Sequence, residues 1–246
     1  MALTPQDLDR HARHIMLKEI GGPGVQALKG ASVSIIGAGA LGGPCAMYLA
    51  AAGIGAIEVW DDDLVERSNL QRQVQFDEND IGKPKVEALA RRLEAMNPWV
   101  QVEPRAGRFG AHTPLSGELL IDASDNYPTR FALNAAAHRT GRLLISGAAS
   151  RWSGQVSVYA SGVREDAPCY QCFVPEAPPE TEACEEVGVV GPVTGFVAAR
   201  MALETVKIIT GAGRDLSGSL WIFDGLLGEG RVVRMRPAPD CPICAS

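Results

Sequence analysis

The chain has 246 residues, 46% hydrophobic and 21% charged, enough for one large α/β domain or a domain with a small appendage. A net charge of −6 and an isoelectric point near 5.3 exclude a nucleic-acid binder that works by neutralising phosphates. No apolar run reaches membrane-spanning length and no charged-then-apolar leader opens the chain, so the expectation is a cytoplasmic protein with no membrane contact. Of six cysteines, four stand in two C-x-x-C pairs, which points to metal or redox chemistry in a reducing compartment rather than a disulfide framework.

Thr4-Pro5-Gln6-Asp7 supplies a cap, a proline at the first helical position and an early acid, and predicts a helix from Thr4 to Ile20. Leu8, His11, Ile15 and Leu17 give it an apolar side, while Arg10 and Arg13 point elsewhere, as charges on a solvated face do. Gly21-Gly22-Pro23-Gly24 reads as its stop, with a short helix following to Lys29.

The stretch from Ser32 to Gln73 organises the rest. Val33, Ile35 and Ile36 form a strand that runs into Gly37-Ala38-Gly39-Ala40-Leu41-Gly42, and an alanine-rich helix follows. A G-x-G-x-x-G hexad between strand and helix is a nucleotide-binding fingerprint: the glycines allow a tight turn and close backbone approach, and the helix start offers N–H groups to phosphates. Cys45 inside that helix reads as a buried small hydrophobe. A second strand, Ile57 to Trp60, ends in Asp61-Asp62-Asp63, with Asp61 19 residues past Gly42, the spacing of an acid that binds a ribose hydroxyl. Arg67-Ser68-Asn69-Leu70-Gln71-Arg72-Gln73 then crowds donors beyond the carboxyl end of that strand, the edge where open α/β sheets bind ligands.

Gly82-Lys83-Pro84-Lys85 opens the next helix, with Val86, Leu89 and Leu93 on its apolar side. A cation at the start of a helix is unfavourable unless an anion binds there, so Lys85 points to a phosphate partner. Val100 to Val102 reads as a strand and Phe109 to Gly117 as a loop. Leu119 to Asp122 is a further strand feeding Ser124-Asp125-Asn126. An Asp there suits a magnesium ion beside a nucleotide, or else Asp125 or Asn126 caps the helix from Pro128 to Thr140. With a strand at Leu143 to Ser146, the alternation is that of a Rossmann-like, doubly wound, mostly parallel α/β sheet.

Beyond Gly147 the pattern changes. Gly154 to Ala160, Ser219 to Phe223 and Arg231 to Met235 read as an antiparallel C-terminal extension. Between them Pro192 to Thr210 is a long helix with an apolar stripe through Phe196, Ala199, Leu203 and Val206, and Pro168 to Pro192 reads as a mobile crossover loop. Cys169 and Cys172, with Cys241 and Cys244 about 70 residues on, match a closed four-thiolate structural zinc site that pins the chain terminus to the start of the loop. Two separate redox pairs fit less well, since neither opens a helix in a βαβ context. Cys184 stands alone in the loop, either a passive thiol or a nucleophile kept for a partner.

GAGALG, the acids Asp61 and Asp63, SNLQRQ, GKPK, SDN, the paired C-x-x-C motifs and GVVGP stand in the order seen in the MoeB/ThiF family, bacterial relatives of ubiquitin-activating enzymes. The chain resembles that family from Arg10–Arg13 to Cys244. The resemblance implies one adenylation domain over 1–246, with N-terminal helices over 1–30, a nucleotide-binding core over 31–150 and the extension, crossover loop and zinc-bound terminus over 151–246. It implies an adenylyltransferase that uses ATP and Mg2+ on the terminal Gly-Gly carboxylate of a small ubiquitin-like sulfur carrier of the ThiS/MoaD kind. A persulfide donor then makes the thiocarboxylate; since no sulfurtransferase domain follows Cys244, that donor is expected to be a separate protein.

By the same resemblance Gly37, Gly39, Ala40, Gly42, Asp63, Ser68 and Asn126 belong to the nucleotide site, with Asp61 on the ribose. Asn69, Arg72 and Lys85 match phosphate-binding residues, and Asp125 the magnesium acid. Arg13 matches an arginine that reaches the other subunit's site in a homodimer, and Cys184 a loop cysteine of covalent sulfur or acyl chemistry. Many relatives carry glycine where this chain has Ala40, whose N–H can still face phosphate. GVVGP and the DDD run incline toward the thiamine branch, with molybdopterin synthesis and tRNA thiolation open.

The chemistry agrees. A carboxylate attacking the α-phosphate is anion meeting anion, so the site must supply cations and position. The nucleophile is already ionised at neutral pH, so no general base is needed from His11, His14, His112 or His138. An NAD-dependent oxidoreductase would use the hexad and Asp61 but has no need of SNLQRQ, Lys85 or four thiolates. A non-catalytic subunit of an activating-enzyme heterodimer would be expected to lack Arg72, Lys85 or Asp125.

Overall fold

The computed structural model describes residues 3–177 and 188–245. Its strands are β1 (Ser32–Ile36), β2 (Ala56–Asp61), β3 (Gln101–Ala106), β4 (Leu119–Asp122), β5 (Leu144–Ser150), β6 (Ser153–Tyr159), β7 (Ser219–Asp224) and β8 (Glu229–Arg234). Its helices are α1 (Pro5–Arg10), α2 (Ala12–Ile15), α3 (Gly21–Gly30), α4 (Gly42–Ala52), α5 (Lys85–Met96), α6 (Tyr127–Thr140), α7 (Tyr170–Phe173) and α8 (Gly191–Thr210).

The strands form one sheet in the order β3-β2-β1-β4-β5-β6-β7-β8. The first five in that order are parallel, and β6, β7 and β8 continue antiparallel, so the expected extension is present with bounds shifted by a residue or two. The central strands are apolar without a break because both faces are covered. In β4, Leu119 and Ile121 enter the core under α4, α5 and α8, while Leu120 enters the second core with Leu133 of α6 and Tyr170 of α7.

Three expectations need correction. The N-terminal helix does not run from Thr4 to Ile20. Thr4 caps the helix as expected and forms a capping box with Asp7, but Asp7 is buried on Lys29 of α3 at 2.6 Å, and the helix breaks at His11, packed against Gly53. Of the predicted apolar side only His11 is buried; Leu8 and Leu17 are exposed. Gly21 to Gly24 does not stop a helix but forms the first turn of α3, where Pro23 lacks only an N–H that has no helical partner.

The third correction concerns α8. Phe196 and Leu203 are 52% and 48% exposed, and the buried side runs through Val193, Val197, Ala198, Met201 and Ala202. Phe196 instead meets Trp221 and Phe223 of β7, with ring centroids 5.8 and 4.5 Å away. The helix therefore has apolar residues on two sides, and periodicity alone selected the wrong one. The predicted crossover loop holds the one-turn helix α7, and its residues 178–187 lie outside the described residues. Among the described residues no helix is long and apolar enough to cross a membrane.

Candidate active site

The glycine loop is pressed between the carboxyl ends of β1, β2 and β4. The Gly37 N–H donates to the Trp60 carbonyl at 2.8 Å, and the Ala123 N–H donates to the Ile36 carbonyl at 2.9 Å. Gly37 has φ +103°, and a Cβ there would lie 2.6 Å from the Ala123 oxygen. A Cβ on Gly42 would lie 1.7 Å from the Gly37 oxygen, so the third glycine lets α4 begin directly above the turn. Gly42 thus shapes the loop without lining the cavity beside it.

Asp61, at the end of β2, accepts from the Ala38 N–H at 2.7 Å and the Asp63 N–H at 2.9 Å. Burial pushes its carboxyl above the usual range, opposed by these two amides and by Lys85. Beyond it residues 67–69 form a single 3-10 turn, which buries Asn69 and turns Arg72 back so that its Nη1 donates to the Ser68 carbonyl at 3.1 Å. Ser68 is itself exposed and orients Arg72 rather than facing the cavity.

Lys85 is the first residue of α5 and is buried, with Nζ 2.7 Å from Asp63 Oδ2. The cation at a helix start therefore has an anion from its own chain. On the far side, Asn126 caps α6 by accepting from the Thr129 N–H at 3.0 Å. Of the two candidate caps the structure uses Asn126, which leaves the Asp125 carboxylate exposed, its one hydrogen bond among the described residues coming from the Asn126 amide at 3.2 Å.

These groups face one cavity of about 290 Å³. It brings together Gly37, Gly39, Ala40, Asp61, Asp63, Asn69, Arg72, Lys85, Asp125 and Asn126. Arg13 is exposed on α2 and does not line the cavity of its own chain. Cys184 lies outside the described residues.

Among the lining residues, Arg108 and Arg130 were not assigned to the site from the sequence, and Gln73 only as part of the donor run. Gln73 closes the SNLQRQ run and is buried at the cavity wall. Arg108 pairs with Asp62 at 3.3 Å. Arg130 is buried within α6 and donates to the carbonyls of Ser124 and Gly147 at 2.7 and 3.0 Å. Burial works against its charge, and Asp122, 3.6 Å away, holds it. Asp122 also accepts from the hydroxyls of Ser124 and Ser146, both at 2.6 Å, so a saturated network fixes the turn that presents Asp125. In sequence, Arg130 looks like any polar residue of a helix; its burial depends on a strand 17 residues on.

The four cysteines converge at α7, whose N-cap position is Cys169 and which contains Cys172. Cys169 Sγ is 3.5 Å from Cys241 Sγ, and Cys172 Sγ is 3.3 Å from Cys244 Sγ and 3.9 Å from Cys169 Sγ. All four sulfurs fall within 4.8 Å of one another. Tetrahedral zinc with bonds of about 2.3 Å sets sulfurs about 3.8 Å apart, so the cluster fits that ion and is too wide for disulfides. Burial raises the Cys169 thiol to about 11. At Cys241 burial also raises it, but the N–H groups of Cys244 and Ile243 prevail and hold that thiol at about 7.

Comparison with known proteins agrees with this geometry. A sulfur carrier protein adenylyltransferase of Thermus thermophilus is 40% identical, over 99% of this chain and 93% of its own length. A SAMP-activating enzyme E1 of Haloferax volcanii is 41% identical, over 99% of this chain and 91% of its own. The E. coli MccB structure with ATP superposes with a TM-score of 0.82 over 98% of this chain and 74% of that one, at 23% identity, which speaks to the fold alone. The model of the ThiF family matches residues 11–243. Glycine loop, polar wall and cysteine cluster thus stand in a chain matched almost end to end, and the protein belongs to the ThiF family.

Proposed function

We propose that this protein uses ATP to adenylate the C-terminal Gly-Gly carboxylate of a small ubiquitin-like sulfur carrier. The observation that carries the reading is the convergence of Arg72, Lys85, Asn69 and Asp125 on one cavity floored by the glycine loop. A carboxylate oxygen attacks the α-phosphorus, the bond to the β-phosphate oxygen breaks, and pyrophosphate leaves an acyl-adenylate. Arg72 and Lys85 offset the charge of the meeting anions, and Asp61 faces the ribose. Mg2+ is commonly held by one or two carboxylates plus substrate phosphates, and the free carboxylate of Asp125 suits that role. Gly39 and Ala40 offer backbone N–H groups to the phosphates.

Arg13, exposed and away from its own cavity, would serve the site of a second copy in a homodimer. Zn2+ on Cys169, Cys172, Cys241 and Cys244 would be structural, because a four-thiolate site leaves no open position. A persulfide donor would deliver the sulfur, with Cys184 as the thiol for covalent transfer. The relatives named above are adenylyltransferases and activating enzymes, which gives no support to a nicotinamide-dependent oxidoreductase.

The test is ATP–pyrophosphate exchange against each ubiquitin-like carrier encoded in the same genome. Exchange is expected with one of them and abolished by Lys85→Ala or Asp125→Ala. Exchange at the wild-type rate in either variant overturns the site assignment.

A further inference from the structure

We propose that Gln75 is a positioning residue for the nucleotide, holding the glycine loop with its N–H groups turned into the cavity; this rests on the reading of the cavity as an ATP site. Gln75 follows the SNLQRQ run by two residues and is only 2% exposed, beneath the loop rather than in the cavity. Its Nε2 donates to the Ala38 carbonyl at 2.9 Å and the Gly39 carbonyl at 3.0 Å. The orientation of the amide is set by chemistry: flipped, its oxygen would face two carbonyl oxygens.

A trans peptide points its C=O and its N–H in opposite directions. Drawing the Ala38 and Gly39 oxygens down onto Gln75 therefore turns the Gly39 and Ala40 N–H groups the other way. Gly39 and Ala40 line the cavity, and among the described residues their amides donate to no protein acceptor. The Gly39 oxygen has a second donor in the Gly43 N–H at 3.0 Å, whereas the Ala38 oxygen has only Gln75 among the described residues. Without the amide, the Ala38–Gly39 peptide is free to rotate and present its oxygen to the phosphates.

A second observation marks the seat as built for this side chain. Gly43 lies within α4, where alanine would normally serve better. A Cβ there would stand 2.2 Å from Gln75 Nε2 and 2.3 Å from its Cδ. The missing methyl is the space the amide occupies.

The experiment measures MgATP affinity by calorimetry without any carrier, then carrier-dependent exchange, for Gln75→Met, Gln75→Glu, Gly43→Ala and the Gln75→Met/Gly43→Ala double variant. Gln75→Met keeps the volume and removes the donor, and Gln75→Glu keeps the shape and turns donor into acceptor. Both are expected to weaken MgATP about tenfold or more, while KM for the carrier moves less than twofold. Gly43→Ala should weaken MgATP similarly, and the double variant should be no worse than the weaker-binding single, because both changes remove one device. Amide exchange at residues 39–41 should quicken in each variant.

Wild-type MgATP affinity in folded Gln75→Met overturns the proposal, as do independent, multiplying losses in the double variant. Should Gln75→Met not fold, Gly43→Ala decides, and unchanged affinity there overturns it. If the wild-type protein binds MgATP but exchanges with no carrier, the adenylation reading falls and the role of Gln75 stands. If it binds no MgATP, both fall.

Discussion

Asp63 and Lys85 are an unequal pair, the carboxylate 60% exposed and the ammonium only 7%. The exposed partner can give way to an incoming phosphate; the buried one cannot leave without losing the carboxylate it is paired with. Asp63→Ala should therefore lower unfolding stability by about 1 kcal/mol, the discount for solvent on one side being taken from the cost of stranding a buried charge. Saturating MgATP should close that gap, because phosphates replace the missing anion; denaturant titration with and without MgATP checks this. Asp7 and Lys29 give a pH prediction. The Lys29 ammonium first, then the Thr4 amide and hydroxyl, hold the Asp7 carboxyl well below its ordinary value of 3.8. A depressed acid stabilises the fold above its ordinary value and loses that contribution as pH falls. Asp7→Asn should accordingly be less stable than wild type at pH 7, with the difference shrinking below pH ~4 in thermal melts. The capping box was readable because its two residues are neighbours in sequence. Asp61 and Lys85 could be singled out by their places at a strand end and a helix start, although their partners Ala38 and Asp63 lie 23 and 22 positions away. Gln75 stands at no such marker, and its partners lie 36 and 37 positions away.

At the scale of elements, α8 shows what a pattern can and cannot convey. Its length and its stop at Gly211, which caps it in the left-handed conformation at φ +71°, were legible, but Phe196 and Leu203 belong to a surface shared with β7, and only the sheet decides which apolar side is buried. Its seat is tight: a Cβ on Gly154 of β6 would stand 2.3 Å from Val197 Cγ2. Gly154→Ala is expected to cost about 1–3 kcal/mol by overpacking, read as a lowered melting temperature with MgATP affinity retained. The cysteine cluster makes the complementary case, because spacing alone identified all four of its members. Metal analysis of reduced protein should return one zinc per chain, and chelation should lower the melting temperature; protein free of metal, or indifferent to chelator, would contradict the structural role.

For the whole molecule, the alternation of strands and helices through Ser146 was enough to give a parallel sheet, and the change of texture after Gly147 to give its antiparallel continuation. Arg13 does not line the cavity of its own chain, and its expected place at a second copy's site rested on the family resemblance rather than on any local pattern. If Arg13 serves a second copy, mixing Arg13→Ala chains with Asp125→Ala chains should restore part of the exchange that each lacks alone; continued silence of the mixture would place Arg13 outside the reaction. The mixed sheet also divides the molecule by the length of chain each pairing must close. The β5–β6 turn needs only Arg151 and Trp152, with Ser150 opposite Ser153, whereas β1 meets β4 only when Val33 finds Leu119. Local hairpins close in microseconds, and distant pairings wait on a larger loss of chain entropy. The β5–β6 and β7–β8 hairpins are thus within easy reach of a growing chain, whereas joining them, with Ser153 opposite Asp224, and closing the cavity where β1 meets β4 wait on distant contacts.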